Sequence, residues 1–183
     1  MKHQTKAMTL CALFAALTAV CAQISIPLPG GVPLSLSVAA VYLTGLLLAP
    51  GWAAASQVVY LLLGAFGMPV YAGFSSGMGV LFGPTGGYLF VYPLMALAVS
   101  LGVRRWGKGW APAAGSMLAA LALCYAAGTL WYAAVGGVTL WQAAAVCGLP
   151  FVPVDLVKIP LAIAVGTRLD LHGRQAQRQV DRN

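Results

Sequence analysis

Acid is scarce in this sequence: of 183 residues only three are acidic and two are histidine. Both histidines, His3 and His172, lie near the ends and outside the apolar runs, so neither reads as a metal ligand or a catalytic base. Cysteine is also sparse, and Cys11, Cys21, Cys124 and Cys147 form no CxxC pair. Each sits among apolar residues and reads as a small buried hydrophobe, with no spacing for a disulfide framework or a metal site. No basic patch is interleaved with aromatics, which argues against nucleic acid. Charged residues make up only 7% of the chain, while 61% is hydrophobic and the mean hydropathy is +0.88. A soluble domain of this size cannot hide so much apolar surface, so lipid must serve as the solvent.

Apolar runs of about 17–25 residues are long enough to cross a bilayer. Six occur, at 7–26, 34–50, 52–68, 84–103, 112–135 and 149–169. They lack the alternation of barrel strands, and lipid cannot satisfy bare backbone groups, so they are expected to be helices. The expected fold is an all-α integral membrane protein of one six-helix domain, residues 1–173. The polar tail 174–183 is expected to be disordered. Short links such as "PLPGGVP" at 27–33 and "APGW" at 49–52 would join the spans. The first run resembles a signal peptide with a weak cleavage site at Val20-Cys21-Ala22, but five further spans favour its retention as a helix.

The basic residues orient the chain. Lys2 and Lys6 precede the first run; Arg104, Arg105 and Lys108 separate the fourth and fifth; Arg168, Arg174, Arg178 and Arg182 end or follow the sixth. Nine of the ten basic residues therefore share one side, which the positive-inside rule makes cytoplasmic, as are both termini. The first, third and fifth loops face out and carry no charge. Lys158 alone breaks the pattern.

The third loop, "GMPVYAGFSSGMGVLFGPTGGYLF" at 67–90, is dense in glycine and mixes aromatics with hydroxyls. Phe74, Ser76, Thr85 and Tyr88 stand among them. Such a segment could fold back over a pocket, or simply turn the chain and leave its tyrosines in an interfacial belt. Its Gly73-Phe74-Ser75-Ser76-Gly77 matches the hydrolase pattern G-x-S-x-G. That pattern needs a histidine within reach, and both histidines belong to the opposite side. The glycines also lack the Lys-Ser/Thr ending of a phosphate-binding loop, so energy from ATP would have to come from other chains.

The last run, "LPFVPVDLVKIPLAIAVG" at 149–166, carries Asp155 and Lys158 on one helix face. Charges inside a membrane helix cost at least about 2.5–3.5 kcal/mol each and are usually functional. The two could pair and hold the fold. Asp155 could sit cheaply in the first helical turn after Pro153. Or both could face a ligand, the carboxylate taking N–H donors and the ammonium an anionic group.

"GMPVYAGFSSGMGVLFGPTGGYL" followed by "PFVPVDLVKIPLA" resembles the BioY family, the biotin-binding S components of energy-coupling factor (ECF) transporters. The resemblance spans nearly the whole chain. It implies a multi-pass cell-membrane protein that is not an enzyme, needs no cofactor and binds biotin near the outer face. Asp155 would meet the ureido group and Lys158 the carboxylate, with Thr85, Tyr88, Phe74 and Ser76 as lip or wall. It also implies partners, namely a transmembrane coupling protein and two cytoplasmic ATPases. Docking would use an A-x-x-x-A pattern on the first helix, here Ala12 and Ala16. The alternatives are an S component for another vitamin, an intramembrane serine hydrolase using Ser75, and a structural membrane subunit without a ligand.

Overall fold

The computed structural model describes residues 2–28, 30–107, 109–148 and 151–180. The chain is mostly helical. Helix α1 (Lys2–Gln23) leads into a minimal antiparallel hairpin, β1 (Ser25–Ile26) and β2 (Leu34–Ser35). Helices α2 (Ser37–Leu47) and α3 (Pro50–Ala65) follow. A 3-10 turn at Ala72–Phe74 and a single helical turn, α4 (Met78–Leu81), punctuate the glycine-rich loop. Then come α5 (Gly86–Trp106), α6 (Trp110–Gly136), α7 (Leu140–Cys147) and α8 (Val152–Val180).

Among the described residues, three helices are long and apolar enough to cross a membrane: Gln4–Gln23, Gly86–Trp106 and Trp110–Gly136. The segments Leu140–Cys147 and Val152–Leu169 pass together as a pair bent by 52°. The second and third expected runs are shorter as helices than as apolar sequence. Residues 34–35 belong to the hairpin, and α2 ends at an extended Leu48 before Pro50 opens α3 at its first position. Pro fits there because its missing N–H would have no helical partner. At about 1.5 Å per residue, the 11 residues of α2 reach only some 17 Å. Gly67, at φ +97°, follows the end of α3. Beside the helices stand only the two-residue β1–β2 pairing and, among the described residues, an isolated bridge between Tyr71 and Ser75.

Helix α8 runs into the polar tail as far as Val180, and 181–183 lie outside the described residues. After Gly173 this stretch has neither Gly nor Pro, and Arg, Gln and Ala are good helix formers.

Helix α5 is the centre of the bundle and packs on α2, α3 and α6; α1 packs on α2 and α3, α8 on α2 and α6, and α7 on α6. The core these contacts enclose contains Tyr42, Met95, Val99 and Met117, all fully buried. A polar knot crosses it: the Gln57 amide donates to the hydroxyls of Thr18 (3.2 Å) and Thr44 (3.1 Å), tying α3 to α1 and α2. Cys11, Phe14, Ala15 and Ala22 of α1 are buried in the same core, so the first helix is part of the bundle.

Candidate functional site

One end of the bundle holds a cavity of about 620 Å³. The end of α1 and the hairpin supply Gln23, Ser25, Leu28 and Ser35, and α2 supplies Ser37. The third loop contributes Tyr71, Ser75, Gly79 and Thr85, while Tyr60, Tyr88 and Tyr92 come from α3 and α5. Its walls are therefore aromatic and aliphatic with a few hydroxyls and one carboxamide. That is the composition and size of a small-molecule pocket, roughly 300–1,000 Å³.

The tyrosines are set by close packing. The Tyr60 ring stacks on Tyr92 at 6.3 Å and meets Tyr71 edge-on at 5.6 Å. Tyr71 lies across Gly64, where a Cβ would come within 2.1 Å of the ring, and its hydroxyl donates to Leu61 O at 2.6 Å. Burial pushes that phenol up to about 12, so it is a neutral donor at ordinary pH. Tyr88 lies in the same way across Gly128 and donates to Cys147 O at 3.2 Å. The Cβ of Trp131 packs against Gly87, where an added Cβ would come within 2.2 Å of it, and the indole N–H donates to Gly83 O at 3.0 Å. Gly87 of the GPTGGY stretch thus leaves room for Trp131, and Gly83 ties its indole to the loop.

Asp155 and Lys158 are both 5% exposed and form an ion pair at 2.5 Å. Tyr125 Oη donates to the second carboxylate oxygen at 2.6 Å, and Lys158 Nζ donates to Ser35 O at 2.6 Å. The pair stands one layer behind the cavity wall. From Ser35 a short chain of hydroxyls continues along that wall: Ser35 Oγ is hydrogen-bonded to Ser37 Oγ (2.6 Å), and Ser37 Oγ to Tyr92 Oη (2.8 Å).

Of the residues expected from sequence, Thr85 and Tyr88 line the cavity. Phe74 is 71% exposed on the outside of the loop, and Ser76 is half-buried; neither is among the lining residues. The Ser75 hydroxyl donates to Ala72 O at 2.7 Å within its own turn. Ala12 and Ala16 sit on an exposed stripe of α1 with Met8 and Val20, far along the helix from Gln23.

Gln23, Ser35, Ser37, Tyr60 and Tyr92 were not anticipated. For the serines a signal existed. "SIPLPGGVPLSLS" alternates polar and apolar residues on both sides of a Pro-Gly-Gly turn, the pattern of a hairpin rather than a link. Tyr60 and Tyr92 lie within apolar runs and carry no such signal.

These features define a helical membrane protein with a small-molecule cavity at one end, roofed by two loops. The comparisons narrow the class. The BioY family matches residues 1–174, and the chain belongs to that family. It is 40% identical to a probable biotin transporter BioY of Pyrococcus horikoshii, over 91% of this chain and 97% of that one. It is 38% identical to the biotin transporter BioY of Thermotoga maritima, over 86% and 91% respectively. Its fold matches a crystal structure of the S-component for biotin from an ECF-type ABC transporter, with a TM-score of 0.85 over 92% of this chain and 93% of that one, at 22% identity.

Proposed function

We propose that this chain is the biotin-binding membrane subunit of an uptake transporter of the ECF type. The observation that carries the reading is the cavity itself: aromatic walls, a few hydroxyls and a double-loop roof, in a chain that aligns with biotin transporters over nearly their full length. Biotin has an apolar body, a ureido group with two N–H donors and a carboxylate. The tyrosine walls suit the body, and the Ser35–Ser37–Tyr92 hydroxyls can accept or donate at a polar end. Asp155 and Lys158 supply the charges suited to the two ends, the ureido for Asp155 and the carboxylate for Lys158. In the arrangement described here they act from behind Ser35.

The same reading takes the chain across the cell membrane six times, with both termini in the cytoplasm and the cavity outside. The basic ends of α1, α5 and α8 lie at the opposite end of the bundle from the hairpin and third loop, which supports that orientation. The bent α7–α8 pair and the short α2 and α3 would complete the crossings. Transport energy would come from two cytoplasmic ATPases through a transmembrane coupling protein. The exposed Ala12–Ala16 stripe is the surface that would let a partner helix approach closely.

A titration with biotin, followed by tryptophan fluorescence with thiamine and riboflavin as competitors, tests the reading. Trp131 is bonded to the cavity-lining Gly83 and serves as reporter. A stoichiometric end point with biotin alone is expected. Displacement by another vitamin, or no saturable signal, would overturn it.

A further inference from the structure

The third loop turns at a knuckle with two successive left-handed residues, Gly73 at φ +67° and Phe74 at φ +57°. Glycine takes this conformation freely. A phenylalanine does so only when its surroundings hold it there. The Phe74 ring is 71% exposed, so packing of the ring does not supply the hold. The amide of Phe74 donates to Gln23 Oε1 at 2.9 Å. The other end of the same carboxamide donates to Tyr71 O at 3.1 Å and to Pro69 O at 3.5 Å. It also donates to Ala19 O, at 3.1 Å, which fixes the side chain against its own helix. A single glutamine on the last turn of α1 thus spans both limbs of the knuckle, accepting from one and donating to the other. The limbs carry Tyr71, Gly73 and Ser75, all of which line the cavity.

We propose that Gln23 is a positioning residue for the cavity, holding the Tyr71–Phe74 knuckle in its left-handed form and so fixing one wall. The inference deepens the biotin-binding reading and rests on it for its ligand. Without the latch, the knuckle relaxes toward ordinary backbone angles, and the fraction of molecules with a complete wall falls. Apparent affinity falls by the same fraction.

Two measurements test this. The first needs no ligand: hydrogen–deuterium exchange resolved to single amides in the intact protein. With Gln23→Ala, exchange at the Phe74 amide is expected to rise about tenfold, the effect of one lost hydrogen bond. The Gly77 amide, bonded to Gly64 O at 2.7 Å, should stay protected as an internal reference. The second is the biotin titration in a double-mutant cycle. Gln23→Ala is expected to weaken binding about tenfold, and Gln23→Glu to do the same, because its second oxygen would face the carbonyls of Ala19, Pro69 and Tyr71 with no proton to donate. In a Phe74→Gly background the Gln23→Ala effect should shrink to about twofold or less, since glycine needs no help to stay left-handed. An unchanged Phe74 amide in Gln23→Ala overturns the proposal. So does an equal Gln23→Ala effect in both backgrounds, which would make Gln23 a direct ligand contact. If wild-type protein fails to bind biotin, the biotin reading falls while the exchange result still decides the role of Gln23.

Discussion

The ammonium of Lys158 donates to the backbone carbonyl of Ser35 at 2.6 Å, joining α8 to the hairpin across 123 residues of chain. The same ammonium pairs with Asp155, and both side chains are buried. The charge pair therefore also anchors the strand whose hydroxyl begins the polar wall of the cavity. Lys158→Met removes one partner and leaves a carboxylate buried with a single phenol donor. Breaking a buried pair on one side costs about 3–5 kcal/mol, whereas replacing both partners by apolar groups is often neutral. Thermal unfolding of the detergent-solubilised protein should therefore rank Lys158→Met below the Asp155→Leu/Lys158→Met double variant. Both should bind biotin poorly, because both release Ser35. Full affinity in Lys158→Met and in Asp155→Asn would remove the pair from the site.

The second prediction concerns space. A methyl group at Gly64 would lie 2.1 Å from the Tyr71 ring, and the ring can yield only by moving into the cavity or lifting the loop. Overpacking of this kind costs about 1–3 kcal/mol. Gly64→Ala should lower both the unfolding temperature and biotin affinity. Gly51→Ala provides the comparison, since nothing lies within 4 Å of a Cβ there. Equal effects of the two substitutions on binding would contradict a packing role for Gly64.

What the sequence made legible follows from what each signal depends on. The long helices α1, α5 and α6 follow from continuous apolar runs, because lipid leaves such runs no other way to satisfy their backbone. The runs at 34–50 and 52–68 looked equally long, but apolarity alone does not fix where a helix begins. Residues 34–35 pair with 25–26 instead, and Pro50 sets the start of α3. Asp155 and Lys158 stood out because charge in an apolar run is rare, yet their partners Ser35 and Tyr125 lie 123 and 30 residues away from them. Thr85 and Tyr88 were legible because they sit in a local motif. Gln23 was not, since an amide at the end of a span looks like any polar boundary residue until Pro69, Tyr71 and Phe74 fold over it.

The third prediction addresses the buried polar knot. Gln57 is fully buried and donates to Thr18 and Thr44, but its carbonyl oxygen has no partner among the described residues. Both threonines already donate to their own helices, to Phe14 O and Ala40 O, so neither hydroxyl proton is orphaned if Gln57 is lost. Hydrogen bonds between helices in membranes average about 0.6 kcal/mol. Replacing Gln57 by leucine removes two such bonds and also an unsatisfied oxygen. The expected change in unfolding free energy is within about 1 kcal/mol in either direction. A loss of several kcal/mol would mean that the oxygen is in fact satisfied, by a water molecule held between α1, α2 and α3.

The fourth prediction separates the polar wall from the apolar one. Tyr92 contributes a ring stacked on Tyr60 and a hydroxyl bonded to Ser37. Tyr92→Phe keeps the ring and deletes the hydroxyl, and Ser37 keeps its bond to Ser35. No buried group is left orphaned, so the unfolding temperature of the ligand-free protein should move little. Binding is another matter. The hydroxyl chain then loses its terminal member, the one carried by α5. If a polar end of the ligand lies against this chain, affinity should fall about five- to tenfold, the worth of one hydrogen bond. Tyr60→Phe supplies the contrast, since the Tyr60 ring is shared with both neighbours while its hydroxyl is not part of the Ser35–Ser37–Tyr92 chain. A biotin titration in which Tyr92→Phe weakens binding and Tyr60→Phe does not would place the ligand's polar end at the Ser35–Ser37–Tyr92 wall. The reverse ranking would turn the ligand around, with its apolar body against that wall.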